Sequence, residues 1–151
     1  MTLITSAFDT PLGWLNVTFD EHYIYRAVFT DTPAVTQAPC AQTLLLRKEL
    51  DCYFDNRHYR FQLSLKPEGT VYQQRVWNAL MVIPVGRTIS YGELANSLQS
   101  SPRAVGQACK KNPLALFIPC HRVVAKTGLG GYMGRVDALR YKTSLLAHEG
   151  A

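Results

Sequence analysis

The chain has 151 residues, 47% of them hydrophobic and 18% charged, with four cysteines and a formal net charge of +5. This balance excludes a disordered chain and provides for one ordinary domain, or two small ones sharing a core. No apolar run nears the roughly 20 residues of a membrane helix, and the start MTLITSAFDTPLG lacks a basic-then-apolar leader, so a cytoplasmic or nucleoid-associated protein is expected. The charge is lopsided: residues 1–66 carry six Lys/Arg against seven Asp/Glu, whereas residues 67–151 carry ten against four. The basic second half points to a polyanion as partner, with mere solubility as the plain alternative.

In chain order, FDTPLGWLNVTFDEHYIYRAVFT alternates apolar positions at Leu15, Val17, Phe19, Ile24 and Ala27 to Phe29, with turn signals at Thr10-Pro11-Leu12-Gly13 and Asp20-Glu21. A small antiparallel sheet follows from that period of two. TDTPAVTQAPCAQ is a Pro/Thr-rich loop, and TLLLRKELDCYF places Leu45, Glu49, Cys52 and Tyr53 at helical spacing, ending near Asp55-Asn56. Phe61 to Leu65 reads as a short extended segment, and Lys66-Pro67-Glu68-Gly69 as a linker. Thr70 caps a helix through Ile83, with Tyr72, Val76, Trp77, Leu80 and Ile83 on one face, stopped by Pro84-Val85-Gly86. Ser90 and Glu93 form a capping box, and Ser101 with Pro102 starts the next helix, PRAVGQACKK, which stops at Asn112-Pro113. The expected fold is therefore α/β (α+β). A small N-terminal sheet-plus-helix domain, 1–66, precedes a mostly helical C-terminal domain, 67–151, with a winged-helix-like helix-turn-helix.

That pattern is two short helices joined by Gln99-Ser100-Ser101. On the second helix Ala104, Val105, Ala108 and Cys109 should pack inward, leaving Arg103, Gly106, Gln107 and Lys110 outward. A glycine inside a helix costs about 1 kcal/mol against alanine, so either a ligand backbone or another helix must come close at Gly106.

The cysteines are Cys40, Cys52, Cys109 and Cys120. With no CxxC pair they read as free thiols, although a Cys40–Cys52 pairing stays open; a zinc site from Cys40, Cys52, His22 and His58 matches no familiar spacing. In IPCHRVV, Cys120 is either a small core hydrophobe or a nucleophile. LALFIP would bury it, Pro119 would fix its backbone, and positive character from His121 and Arg122 would lower its pKa. His121 could take the thiol proton, directly or through water, or be an ordinary core or surface histidine. KTGLGGYMGR carries Gly128, Gly130, Gly131 and Gly134 around Tyr132; without the G-K-S/T of a P-loop, it either cradles a phosphate or closes over a flat ring. Glu149, late in the last helix, reads on its own as a solvated charge.

ISYGELA, PRAVGQACKKNP, PCHRVV and LLAHEG, in this order over roughly residues 70–150, resemble the O6-alkylguanine-DNA alkyltransferase family, also called methylated-DNA–protein-cysteine methyltransferases. The first half resembles that family's small N-terminal α/β domain more loosely. The resemblance implies direct-reversal repair: one irreversible transfer of an alkyl group from O6 of guanine, with O4 of thymine as a further candidate donor, to Cys120. The protein would then be a single-turnover methyltransferase needing no cofactor and no metal, and a monomer acting on double-stranded DNA, with no membrane. It implies a relay from Cys120 through water to His121 and Glu149, braced by Asn112, with Tyr91 donating to the departing guanine. Tyr132, the Met133 amide and Gly134 would line the base pocket, and the carbonyls of Cys120 and Val123 would accept from the exocyclic amine. Arg103 would fill the gap left by a flipped base, Ala104 and Gly106 would let the helix into the minor groove, and Lys110 would meet phosphate.

The chain departs from the family pattern at Tyr72, where phenylalanine is frequent, at Ala115 for proline, and at Met133 for serine. A longer stretch between Tyr132 and Glu149 makes Arg135 to Arg140 an altered loop, and Lys142 aligns with a lysine near the pocket. Two other readings compete: a lesion sensor or regulator that binds without chemistry, and a Cys-His hydrolase indifferent to DNA. The non-repairing relatives carry tryptophan at the acceptor position; this chain has Cys120.

Overall fold

Alternating apolar side chains make the first thirty residues a sheet. In the computed structural model, which describes residues 2–151, strands β1 (Ile4–Thr10), β2 (Gly13–Phe19) and β3 (Ile24–Thr30) form an antiparallel meander in that order. Leu15 pairs with Phe8 on one side and Phe29 on the other, so one row of large side chains crosses the buried face. The first hairpin closes where Thr10 donates to the Gly13 carbonyl at 2.6 Å, and the second where Asp20 accepts from the His22 and Tyr23 amides at 2.8 Å each.

Helix α1 (Ala41–Asp55) turns a different face inward from the one its spacing suggests. Thr43, Leu46, Glu49, Leu50 and Tyr53 are buried, while Leu45 is exposed and Cys52 half-buried. Three consecutive leucines, Leu44 to Leu46, cannot fix a helical phase by themselves. The sheet beneath selects Leu46, the member in step with Leu50 and Tyr53. Glu49 tolerates burial because its carboxylate accepts from the Gln62 amide at 2.5 Å and from the Tyr59 hydroxyl.

The open edge of β3 serves as a socket. Ile24 donates to Ser64 and accepts from Lys66, both at 2.9 Å, so the extended segment ending at Leu65 runs parallel to the strand. One turn on, Ala27 donates to Pro113 at 2.9 Å and accepts from Ala115 at 3.1 Å. The loop just ahead of Cys120 is thus tied by backbone hydrogen bonds to the N-terminal sheet.

Helix α2 (Val71–Met81) starts on the Thr70–Gln73 capping box and buries Val76, Trp77 and Leu80. It ends two residues before Ile83. Val82 and Ile83 finish in tighter i→i+3 turns, because Pro84 disfavours helical geometry in the residue before it. Strand β4 (Ile89–Ser90) leads straight into α3 (Tyr91–Leu98), capped by Ser90 and Glu93 as the spacing requires. A turn with Gln99 in left-handed conformation leads to α4 (Pro102–Lys110), capped by Ser101. The Trp77 indole donates to the Ala108 carbonyl at 2.9 Å and anchors α4 to α2. Strand β5 (Val123–Val124) pairs in parallel with β4, which sets Tyr91 beside the segment that follows Cys120. Helix α5 (Leu139–Glu149) closes the chain and stops at Gly150, φ 75°. A continuous core spans both halves, with Phe29 stacked on Tyr141 at 4.8 Å and Phe61 edge-on to Phe117 at 4.9 Å.

Candidate active site

Cys120 is presented by a short, rigid approach. Leu114 to Ile118 are all buried. Asn112 staples this stretch from both sides, donating to the Ile118 carbonyl and accepting from the Leu114 amide at 2.9 Å each. Pro119, at φ −80° and ψ 62°, is the centre of an inverse γ-turn in which the Cys120 amide donates to Ile118 at 2.8 Å. The chain then enters one 3-10 turn, Cys120–Arg122, and passes into β5. Cys120 is 5% exposed, and what exposure it has faces a cleft of about 650 Å³.

On the opposite side of that turn lies a dry polar network. His121 is fully buried, and its Nε2 meets Glu149 Oε2 at 2.8 Å. Arg122 grips the same carboxylate with two nitrogens, Nε to Oε1 at 2.8 Å and Nη2 to Oε2 at 2.9 Å. The Tyr53 hydroxyl, from α1, donates to Oε2 at 2.6 Å. These donors hold the Glu149 carboxyl well below the usual carboxylate range although burial pushes the other way. Burial, the largest effect on His121, drives its pKa down; Glu149 opposes this and the Arg122 and Lys142 cations reinforce it. The ring is therefore neutral near pH 7. With the Nε2 proton given to Glu149, Nδ1 is a free lone pair, and Nδ1 has no protein partner.

The charge beside the sulfur differs from the one expected from its neighbours in sequence. Arg122 is committed to Glu149, and His121 turns its proton the same way, so neither acts as the thiol's cation. Burial raises the Cys120 pKa, and what opposes it is Asn112 and the ammonium of Lys142. Lys142 is fully buried, and its Nζ donates to the Val123 carbonyl at 2.6 Å and to the Gly131 carbonyl at 2.9 Å. Desolvation brings its pKa down to about 8, offset in part by the Cys120 and Cys109 thiols. Val123 O thus has one lone pair already taken and one left for a ligand.

The cleft is walled by Tyr91 and Cys109 on one side and by the glycine-rich loop on the other. Gly130, φ 76°, lies against the Tyr91 ring so closely that a Cβ there would stand 2.7 Å from Tyr91 Cε2. Gly134, φ 65°, packs on the Lys110 side chain, where a Cβ would stand 2.9 Å from Cγ. These two close approaches are what the glycines of this loop permit. Burial raises the Tyr91 pKa, with the Cys109 and Cys120 thiols acting in the same sense, so its hydroxyl keeps its proton and remains a donor. Tyr132 contributes its ring to the cleft, and its hydroxyl is buried. Met133 adopts φ 51° at the lip.

The mouth of the cleft is cationic, with Arg103, Lys110 and Arg135 on its rim. On α4 the inward face is Val105, Ala108 and Cys109, and Ala104 is only half-buried, at the edge between the faces. A Cβ built at Gly106 meets no atom within 4 Å. Close packing of another helix is thereby excluded as the reason for that glycine. The Arg135 to Arg140 stretch folds back on the sheet, Arg135 donating to the Phe29 carbonyl at 3.2 Å and Arg140 pairing with Asp31 at 2.7 Å. Cys40 and Cys52 are both free thiols, and among the described residues no three His, Cys, Asp or Glu converge to hold a metal. Nor is any described helix long and apolar enough to cross a membrane.

The fold and site define an α/β protein that presents one buried thiol, backed by a histidine–carboxylate pair, at the floor of a basic cleft. Residues 71–151 match the family model described as 6-O-methylguanine DNA methyltransferase, DNA binding domain. A methylated-DNA–protein-cysteine methyltransferase of Saccharolobus islandicus is 33% identical over 148 residues, 98% of this chain and 96% of that protein. The crystal structure of Mycobacterium tuberculosis O6-methylguanine methyltransferase superposes with a TM-score of 0.84 at 33% identity, covering 99% and 93% of the two chains. A crystal structure of the M. tuberculosis protein in complex with DNA gives 0.83 at 34% identity, covering 97% and 92%. The chain belongs to the O6-methylguanine-DNA methyltransferase family.

The sequence-derived residues Cys120, His121, Glu149, Asn112, Tyr91, Tyr132, Met133, Gly134, Arg103, Gly106 and Lys110 all gather at the thiol or the cleft it faces. Two members of the network were not singled out. Tyr53 appeared only as a core position of α1, although a tyrosine at such a position needs a partner for its hydroxyl, and that was the available signal. Cys109 was assigned inward and does pack there, but it also forms part of the cleft wall, with burial raising its pKa to about 12.

Proposed function

We propose that this protein repairs DNA by moving an alkyl group from O6 of guanine to Sγ of Cys120, once per molecule. The observation that carries this reading is the Cys120 thiol facing a cleft with room for a nucleobase, with an uncommitted imidazole lone pair beside it in the chain. The alkylated base is out of reach inside a duplex, so it must rotate out of the stack at a cost of a few kcal/mol. Helix α4 enters the minor groove, where Gly106 and Ala104 offer no bulk; Arg103 occupies the vacated place and Lys110 meets phosphate. Affinity then falls with salt and depends little on sequence.

In the cleft the Val123 and Cys120 carbonyls accept from the exocyclic amine, and the Met133 amide faces O6. The Cys120 proton passes to His121 Nδ1, directly or through one water, as Sγ bonds to the alkyl carbon. The carbon–O6 bond breaks and its electron pair stays on the guanine, which Tyr91 neutralises by donating its proton or a hydrogen bond. Glu149 keeps the imidazole in the tautomer that accepts. Lys142 supplies positive charge next to the sulfur during the attack. The product is a thioether with no easy route back, so the protein is consumed. It acts as a monomer without cofactor.

Incubation with an O6-methylguanine duplex followed by intact mass tests this. One methyl-sized gain, located on Cys120 by peptide mapping, is expected. Cys120→Ser should bind the duplex and gain nothing, and Cys109→Ser should gain as the wild type does. A methyl group on Cys109 sinks the assignment. Retained binding with unchanged mass makes the protein a sensor, and multiple turnovers on an ester make it a hydrolase.

A further inference from the structure

Glu149, on α5, is gripped from two elements, the Cys120 turn and α1, and α1 lies in the half of the chain that contributes nothing to the cleft wall. Tyr53 is 96 positions from Glu149 in sequence, and its hydroxyl stands 2.6 Å from Oε2. The ring has little freedom. It stacks on Phe61 at 4.8 Å, meets Phe54 edge-on at 4.9 Å and tilts against His148 at 4.8 Å. His148 Nε2 in turn contacts the Tyr53 carbonyl at 2.7 Å. So much packing around one fully buried tyrosine fixes where its hydroxyl points.

We propose that Tyr53 is a positioning residue of the proton relay: its hydroxyl shares Glu149 Oε2 with the imidazole and so limits how firmly the carboxylate holds a second proton on His121. This inference rests on transfer to Cys120 through His121. Oε2 receives Tyr53, His121 and Arg122 together, and each added donor disperses negative charge that an imidazolium would otherwise feel. The groups facing His121 are Glu149 and Lys142 from α5, Arg122 and Cys120 from its own turn, and Tyr53 from α1, with the Tyr132 hydroxyl of the glycine-rich loop near Cys120 and Glu149. Glu149 is the one fixed anion among them. Arg122 and Lys142 disfavour a protonated ring, and Tyr53 acts in the same sense by drawing on the anion. A neutral ring is what the relay needs, because Nδ1 must be empty to take the thiol proton.

Tyr53→Phe keeps the ring and deletes the donor. Oε2 then turns more of its charge to His121 Nε2, the imidazolium persists to higher pH, and the acid limb of the transfer rate moves up. Single-turnover methyl transfer from an O6-methylguanine duplex, followed by intact mass from pH 5 to 9, reads this directly. The expected shift for Tyr53→Phe is about half a pH unit or more, with one methyl group still gained. Phe61→Leu, which loosens the ring and leaves the hydroxyl, should lower the melting temperature and move the limb less than Tyr53→Phe does. A Tyr53→Phe profile that overlays the wild type overturns the proposal, as does an equal shift in Phe61→Leu. A second reading needs no variant: His121 ¹⁵N shifts of the wild type at pH 7 should show a neutral ring with its proton on Nε2, and an imidazolium there overturns the proposal too. If the wild type gains no methyl group at all, it is the transfer reading that fails, and the nitrogen shifts, compared between the wild type and Tyr53→Phe, still report on Tyr53.

Discussion

Behind Cys120, both oxygens of Glu149 are taken, Arg122 and His121 are buried, and the donors come from α1 and the cysteine turn to the carboxylate on α5. In front of it, the cleft is lined by loop backbone, by glycines at positive φ and by cations at the rim whose side chains are exposed or half-exposed. The rear wall is finished before any ligand arrives; the front wall is left to be completed by one. On the proposed function, the difference follows from what each side must do. A base that accepts a proton in one encounter has to be oriented in advance. A surface that admits a DNA backbone and a flipped base has to leave room and charge unspent.

Breaking the rear wall should have the largest effect. Glu149→Gln leaves the Arg122 guanidinium buried without its counter-charge and replaces one of the two acceptor oxygens that Tyr53, His121 and Arg122 share with a donor. A loss of about 3–5 kcal/mol of stability is expected, measured by denaturant unfolding, together with a fall in transfer rate in whatever protein remains folded. If that variant were as stable as the wild type, the network would be ornamental and the contrast with the cleft would disappear.

The front wall should answer differently, with chemistry lost and stability less affected. Gly130→Ala asks a residue with a Cβ to hold φ 76° and places that carbon against the Tyr91 ring. The loop or the ring must move, and transfer should slow by roughly tenfold or more, the order expected when an acid's donor is misplaced. Duplex affinity, set by α4 and the rim cations, should change little in a filter-binding assay.

Gly106→Ala sharpens the comparison further, because stability and function should move in opposite directions. With no atom near its Cβ, alanine should stabilise α4 by about 1 kcal/mol, read as a higher melting temperature, while affinity for the duplex falls several-fold. Unchanged affinity would mean that α4 does not approach DNA at this position.

The last test is a pH dependence from Lys142, which touches both walls. Its pKa in the fold is about 8, below its ordinary 10.5, so between those values the unfolded chain binds the extra proton. Its contribution to stability should therefore rise as pH climbs from 8 toward 10.5. Cys109, raised to about 12 by burial, works in the opposite direction above pH 9. The Lys142 part is isolated by comparison with Lys142→Met: the wild type should gain on the variant across that window. A constant gap would show that the lysine is not desolvated.

Local chemistry was legible wherever a residue's partner lay three or four positions away. The Thr70, Ser90 and Ser101 caps and the break at Pro84 needed nothing but neighbours. The sheet was legible too, because a period of two along β2 and β3 has one reading. The phase of α1 was not, since Leu44, Leu45 and Leu46 are equivalent until a sheet lies beneath them. Nor was the environment of the sulfur. His121 and Arg122 sit next to Cys120 in sequence, yet both turn to Glu149, and the cation that faces the thiol is Lys142, 22 positions on. Gly106 posed a question that spacing left open between helix packing and an outside ligand, and empty space around its Cβ removes helix packing.

By itself the sequence determined the elements, the order of the motifs and the family, because caps, turns and alternation are short-range and the motifs are strings. Only the tertiary structure decided which charges reach the thiol and which residues hold the Glu149 carboxylate. Those depend on distances between α1, the Cys120 turn and α5, and a buried hydrogen bond between residues 96 apart leaves no mark in either neighbourhood of the chain.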